Sequence, residues 1–188
     1  MKTLAFVCAA LFISIPAFAA DQSKTDVVKI GNGITQVDFT GEGARDLVIS
    51  GRRENYNAHS FDVVSFYVPD QDDAGKSRQW DIVPIMTKGS EKEQVEVSGG
   101  ADCVLHDFRL LAGHGKEAAM LILADRDLGA SFASAAKVTF TYYSLVRNLD
   151  GMPGFPSYAF EQSRVVSAKH AYCDVGEAFD QELGLGAR

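Results

Sequence analysis

The chain has 188 residues, with 18 basic against 25 acidic side chains and four histidines, a formal net charge of −7 at pH 7. An acidic chain whose largest basic cluster is Arg52-Arg53 is a poor candidate for nucleic acid or anionic lipid surfaces, and no nucleic-acid partner is expected. Hydrophobic residues make up 46% of the chain, and its length suits one domain with a sizeable core.

Residues 1–19 read as a secretory signal peptide. Lys2 gives a positive start, Leu4 to Ile15 is apolar, and Ala17-Phe18-Ala19 is a small-x-small cleavage site. Cys8 lies inside this apolar core, without lipoprotein-type context, and is expected to leave with the peptide. The segment is too short and wrongly flanked for a membrane span, and no second apolar stretch reaches the ~18 residues a span needs. The expectation is one β-rich domain over residues 20–188, periplasmic, with 17 basic and 25 acidic residues, a formal charge of −8.

Val27 to Ile30 reads as a short strand and Gly31-Asn32-Gly33 as a turn. Ile34 to Phe39 alternates and runs into a loop of glycines and acids, Asp38 to Gly43. Leu47 to Ser50 and Phe61 to Val68 are strands; apolar residues on both faces of the second suit an interior position. Between them lies a polar turn, Arg52 to Ser60. Pro69 to Ser77 is a loop, and Trp80 to Met86 is extended, with Pro84 demanding an edge or a bulge. Lys88 to Glu93 reads as a charged loop, Val95 and Val97 alternate with polar residues, and Gly99-Gly100 breaks the chain.

Cys103 to Leu111 is a strand and Ala112 to Gly115 a turn. Ala118 to Ala124 is a continuous apolar run; its length of seven and its flanking turns favour a strand over a buried helix. Gly129 to Ala136 is weakly patterned, whereas Val138 to Val146 has the clearest period of two. Asp150 to Pro156 holds two prolines and two glycines and is irregular; Tyr158 to Tyr172 is extended. Asp174 to Leu183 is the one good helix. Asp174 caps it, Glu177 takes the capping-box position, Val175, Ala178, Phe179 and Leu183 share a face, and Gly184 stops it. Many short strands and a terminal helix predict an all-β fold, an antiparallel β-sandwich or partly closed barrel with a short C-terminal α-helix.

Cys103 and Cys173, 70 positions apart, are the two cysteines outside the leader. Neither sits in a C-x-x-C motif, and in an oxidising compartment an even pair reads as a disulfide ahead of a metal or redox pair.

The turn Arg52 to Ser60 carries more charge and hydrogen-bonding capacity than a hairpin needs. Arg52, Arg53, Glu54, Asn55, Asn57 and His59 are the ligand-binding candidates, the arginines offering bidentate donors to a carboxylate or other anion. The competing reading is an internal network that fixes the hairpin. Just before it, Asp38, Thr40, Glu42 and Asp46 place oxygens as a Ca²⁺ loop would, but the twelfth position is Ile49. Asp38, Glu42 and Asp46 are therefore weak metal candidates in what reads first as a glycine-rich turn. His59, His106, His114 and His170 lack zinc-hydrolase spacing. A metal-dependent hydrolase using His59, His106, Asp107 or His170 is the alternative reading. A carbohydrate or adhesion module using Tyr142, Tyr143, Phe155, Tyr158, Phe160 and Tyr172 is another. Ser134-Ala-Ala-Lys137 matches S-x-x-K, but neither companion motif of the serine β-lactamases follows.

The run G-R-R-E-N-Y-N-A-H-S-F-D-V-V-S-F-Y-V, with D-F-T-G-E-G-A-R-D-L-V-I before it and A-K-H-A-Y-C-D-V-G-E-A-F near the C-terminus, resembles the CarG-like family of carbapenem self-resistance proteins. The resemblance implies an exported protein of about this length that gives periplasmic tolerance of carbapenems without hydrolysing them. The expected partner is carbapenem or a periplasmic penicillin-binding protein, with no cofactor expected beyond a weak Ca²⁺ possibility at Asp38, Glu42 and Asp46; the family offers no established catalytic residues to carry over, and a homodimer is left open. Family members accompany carbapenem biosynthesis in some bacteria, with relatives in bacteria that do not make the antibiotic.

Overall fold

The computed structural model describes residues 26–71, 77–99, 102–113 and 118–188. The leader, Cys8, His114 and much of the Ala112 to Gly115 turn lie outside them. The described residues form β1 (Gly33–Val37), β2 (Asp46–Arg53), β3 (Phe61–Gln71), β4 (Ser77–Ile82), β5 (Ile85–Thr87), β6 (Ser90–Lys92), β7 (Val95–Gly99), β8 (Val104–Leu111), β9 (Met120–Arg126), β10 (Ala136–Arg147), β11 (Tyr158–Tyr172) and α1 (Val175–Leu183).

The strands join in one unclosed sheet in the order β1-β2-β3-β7-β8-β9-β10-β11-β5-β6, with β4 added on β3. Pairing is antiparallel throughout except for β11 with β5, a two-residue parallel contact that makes the sheet mixed. The sheet doubles over on itself. Four strands separate β3 from β11, yet the rings of Phe66 and Phe160 lie 5.2 Å apart, edge to face. Phe39 packs against both, at 6.2 and 6.0 Å, and Phe108 against Phe66 at 6.1 Å. All four rings are fully buried, and such pairs add to the area they bury.

Val83 and Pro84, between β4 and β5, stitch the two halves together. Val83 N–H donates to the Phe66 carbonyl at 2.9 Å, and Phe160 N–H donates to the Pro84 carbonyl at 2.9 Å. A proline fits there because the link needs its carbonyl and not an N–H. The expected sandwich or partly closed barrel is realised by this one folded sheet, with the helix as a third layer.

On the outer face of β8 to β10, Ile122, Ala124, Phe140 and Tyr142 pack against Val175, Ala178 and Phe179 of α1. Leu121, Tyr143 and Leu145 point inward to the phenylalanine core. Strands β9 and β10 are thus covered on both faces, which is why 118–124 reads as an unbroken apolar run. Helix α1 keeps its predicted caps: the Asp174 side chain accepts from Gly176 N, and Gly184 closes it at φ 66°. The second Asp174 oxygen accepts from Val104 N at 2.8 Å. Beside this contact Cys103 and Cys173 form the expected disulfide, with Cα atoms 5.7 Å apart. A Cβ at Gly99 would collide with the Cys103 carbonyl, so only glycine fits where β7 hands over to β8.

Three expectations change. Lys88 to Glu93 is a hairpin rather than a loop, and its strand β6 is exposed along its length, so it carries no apolar period. Val27 to Ile30 is no ladder strand; Val27 forms a single bridge to Leu111, and Val28 N donates to Leu110 at 2.8 Å. Arg52 and Arg53 belong to β2 and not to the turn, paired with Asp62 and Phe61.

Candidate functional site

Strand alternation decides how the arginines are used. Neighbours on a strand point to opposite faces, so Arg52 and Arg53 separate. Arg52 turns toward Asp62 of β3, at 3.7 Å, and toward Glu54 at 3.4 Å. Arg53 lies across the Phe61 ring, 5.4 Å from its centre. The candidate residues share one hairpin but not one face.

Glu54 organises the turn. It accepts from the Ser60 hydroxyl in a short hydrogen bond, from Tyr56 N at 2.7 Å and from Arg52 Nε at 3.4 Å. These donors, the Ser60 hydroxyl first, hold its carboxyl below the usual glutamate range. Asn55 Nδ2 donates to the His59 carbonyl at 2.9 Å, and Asn57 Oδ1 accepts from His59 N at 2.8 Å. Both asparagines thus act as turn locks. Tyr56 sits at the apex with φ 55° and its side chain 95% exposed. A bulky residue at positive φ is an uncommon conformation that costs free energy, here held in place by the Glu54 bond. The His59 ring packs 5.7 Å from Phe132, in the loop after β9.

A groove of about 590 Å³ runs beside the hairpin, with Arg52, Asn57 and Ser60 on one wall and Arg188, Asp107 and Val104 on the other. Arg188 bonds Asp107 at 3.0 Å and Asp62 at 3.2 Å. Asp107 also accepts from the buried Arg109 at 2.6 Å, and Arg109 donates to the Gly186 carbonyl at 2.6 Å. Three guanidiniums and three carboxylates, those of Glu54, Asp62 and Asp107, therefore form one network from the hairpin to β8. Arg52 is its most accessible cation, with half its side chain exposed.

The sequence profile described as "Carbapenem resistance protein CarG-like" matches residues 30–181. The chain belongs to the CarG-like family. A solved structure described as "Crystal structure of CarG" superposes with a TM-score of 0.68 at 23% identity, covering 87% of this chain and 99% of that one. At that identity the likeness speaks for the fold. No curated protein sequence matches. The family match takes in the Arg52 to His59 hairpin and both cysteines, but stops short of Arg188.

Within this CarG-like domain the other candidates disperse. Asp38 caps its own loop, accepting from Gly41 N and Gly43 N at 2.8 Å each. Glu42 pairs with Arg147, and Asp46 is buried beneath the amides of Phe39 and Thr40. His106 Nδ1 meets Asp125 at 2.7 Å. The His170 backbone N–H donates to Glu182 at 3.1 Å, and His59 lies elsewhere against Phe132. Among the described residues no three His, Cys, Asp or Glu side chains gather as a metal site would require. Tyr142, Tyr143, Phe160 and Tyr172 are buried in the cores, so the aromatic run is packing and not a platform; Phe155 is exposed and Tyr158 half-buried. Sequence reasoning missed Arg188 and Asp107 as neighbours of Arg52, because their contacts span 126 and 81 positions. It also passed over Tyr56, whose flank of Asn55 and Asn57 was the available signal.

Proposed function

We propose that this CarG-like protein is exported to the periplasm and confers intrinsic tolerance of carbapenems without hydrolysing them, by binding the antibiotic or shielding its target. The family match over residues 30–181 carries this reading. The apolar leader and the Cys103–Cys173 bridge support an oxidising compartment. The groove beside the hairpin supports binding: its volume is that of a small-molecule site, and Arg52 offers a fork of donors to the carboxylate of a β-lactam. The exposed Tyr56 at the apex supplies contact area for a protein partner such as a penicillin-binding protein.

Deletion of the gene, followed by complementation with the parent or with Arg52→Ala, tests the proposal through carbapenem susceptibility, with other β-lactams as controls. Deletion is expected to sensitise cells to carbapenems, the parent to restore tolerance and Arg52→Ala to restore it poorly. Unchanged susceptibility on deletion would reject the function, and full rescue by Arg52→Ala would reject the groove. Loss of carbapenem absorbance on incubation with purified protein would reject the non-catalytic mechanism.

A further inference from the structure

Strand β11 pairs with β10 from Tyr158 to Tyr172, but on its other side only Phe160 and Glu161 have partners, Ile85 and Met86 of β5. β5 ends at Thr87, whose hydroxyl meets the Tyr143 hydroxyl at 3.0 Å, and the chain then turns back into β6. Farther along, the Glu182 carboxylate accepts from Lys169 N at 3.0 Å and His170 N at 3.1 Å, closing the edge from the helix side. Between these two stops, Gln162 to Ala168 has no strand on its outer side among the described residues.

An unpaired strand edge is a template for another strand, and proteins commonly blunt it with proline, a bulge or charge. This window is not blunted. It holds no proline, and from Arg164 to Ser167 its register with Tyr142 to Thr139 is unbroken. Val165 and Val166 point to opposite faces and are 52% and 40% exposed. Arg164 folds back over the Tyr142 ring at 3.9 Å, so its charge lies on the face of the sheet and leaves the main chain clear.

Shape and charge decide the occupant. A second copy would bring its own fifteen-residue β11, with the β5–β6 hairpin lying on it. Laid along this window in either direction, that strand would run into β5 beside Phe160 and Glu161. A short extended segment fits between the stops. Gln162 to Tyr172 carries Arg164, Lys169 and His170 and no acid, in a chain of net charge −7. Two copies would set like charges side by side, whereas acidic side chains complement the edge.

We propose that the outer edge of β11 over Gln162 to Ala168 binds an extended acidic segment of a partner protein as an added strand. Main-chain pairing supplies the affinity, and alternate side chains supply the selectivity. β-Branched residues of the segment pack on Val165 and Val166, and its carboxylates meet Arg164 and Lys169. This surface is separate from the hairpin groove and does not depend on any role in carbapenem tolerance.

The test titrates ¹⁵N-labelled, disulfide-bonded protein with the peptide acetyl-Asp-Val-Thr-Val-Asp-amide, which reads the same in either strand direction. The control is acetyl-Lys-Val-Thr-Val-Lys-amide. The acidic peptide is expected to move the amide resonances of residues 162–168 and to slow their hydrogen exchange; the basic one is expected to leave them in place. Arg164→Glu with Lys169→Glu is expected to weaken the acidic peptide about tenfold and to let the basic one bind. Lys169→Glu alone, expected to weaken the acidic peptide several-fold, carries the test if the double variant does not fold. The proposal is overturned if the acidic peptide moves no resonance there, if both peptides act equally, or if the folded variants bind like the parent. Protection of residues 162–168 that grows with the concentration of the protein alone would assign the edge to a second copy and overturn it too.

Discussion

Replacing both bridge cysteines, as Cys103→Ser with Cys173→Ser, should leave the native fold in place and act on the unfolded chain. The start of α1 stays tied to β8 without the sulfurs, because Asp174 still accepts from Val104 N and caps Gly176 N. The cost lies in the 70-residue loop that the bridge closes, which spans β8, β9, β10 and β11. The loop-entropy relation gives about 15 cal/mol/K for such a closure, or about 4 kcal/mol at 25 °C. Urea unfolding of the parent and the double variant measures it. With a slope of about 2 kcal/mol/M, the midpoint should fall by about 2 M, and the slope should rise somewhat because the unbridged denatured chain is less compact. Far-UV circular dichroism of the folded variant should match the parent. A loss below about 1 kcal/mol would refute the reasoning, since it would mean that the reduced chain keeps this region together when unfolded. A changed native spectrum would refute it differently, showing that the bridge is needed to dock the helix.

Phe179→Ala should cost about 3–5 kcal/mol by urea unfolding, since the ring is fully buried, lies 5.4 Å from Phe140 and sits under the Arg109 guanidinium at 4.3 Å. Arg126→Met should cost about 2 kcal/mol and speed amide exchange over residues 127–135, because the buried guanidinium gathers the carbonyls of Leu128, Ser131, Phe132 and Ser134. Glu54→Gln should destabilise the hairpin at neutral pH. The Glu54 pKa is depressed, so its contribution is present above the ordinary value and fades as pH falls through the depressed one. The melting-temperature gap between parent and variant should therefore close in acid. Asp46→Asn should do the reverse. Burial raises the Asp46 pKa, so the parent is most stable below the ordinary aspartate value and loses ground as pH rises through the raised one. The variant should gain on the parent in thermal melts as pH rises above the ordinary aspartate value.

The hairpin illustrates how far a sequence can be read. Its asparagines, glutamate and serine are neighbours along the chain, and their mutual bonds follow from turn chemistry. The separation of Arg52 from Arg53 follows from period-two geometry once the strand is known to run through both. The groove was not legible. Its far wall comes from β8 and residue 188, brought there by a sheet order that no local pattern encodes. The acidic loop shows the same limit. Asp38, Glu42 and Asp46 look alike in sequence, but Asp38 caps a turn, Glu42 meets an arginine 105 positions away and Asp46 is buried.

By itself the sequence determined the elements whose cause is local. The capped helix, the strand at Val138 to Val146, the cysteine pairing and the all-β class rest on side-chain alternation, cap chemistry and the parity of two cysteines. Only the tertiary structure decided that one sheet doubles over to bring Phe66 onto Phe160, that Val83 and Pro84 join its halves, and that β5 covers only the start of the β11 edge. Those arrangements depend on which distant strands pair. Pairing order is set by the burial of many apolar faces at once, not by the residues at any one site.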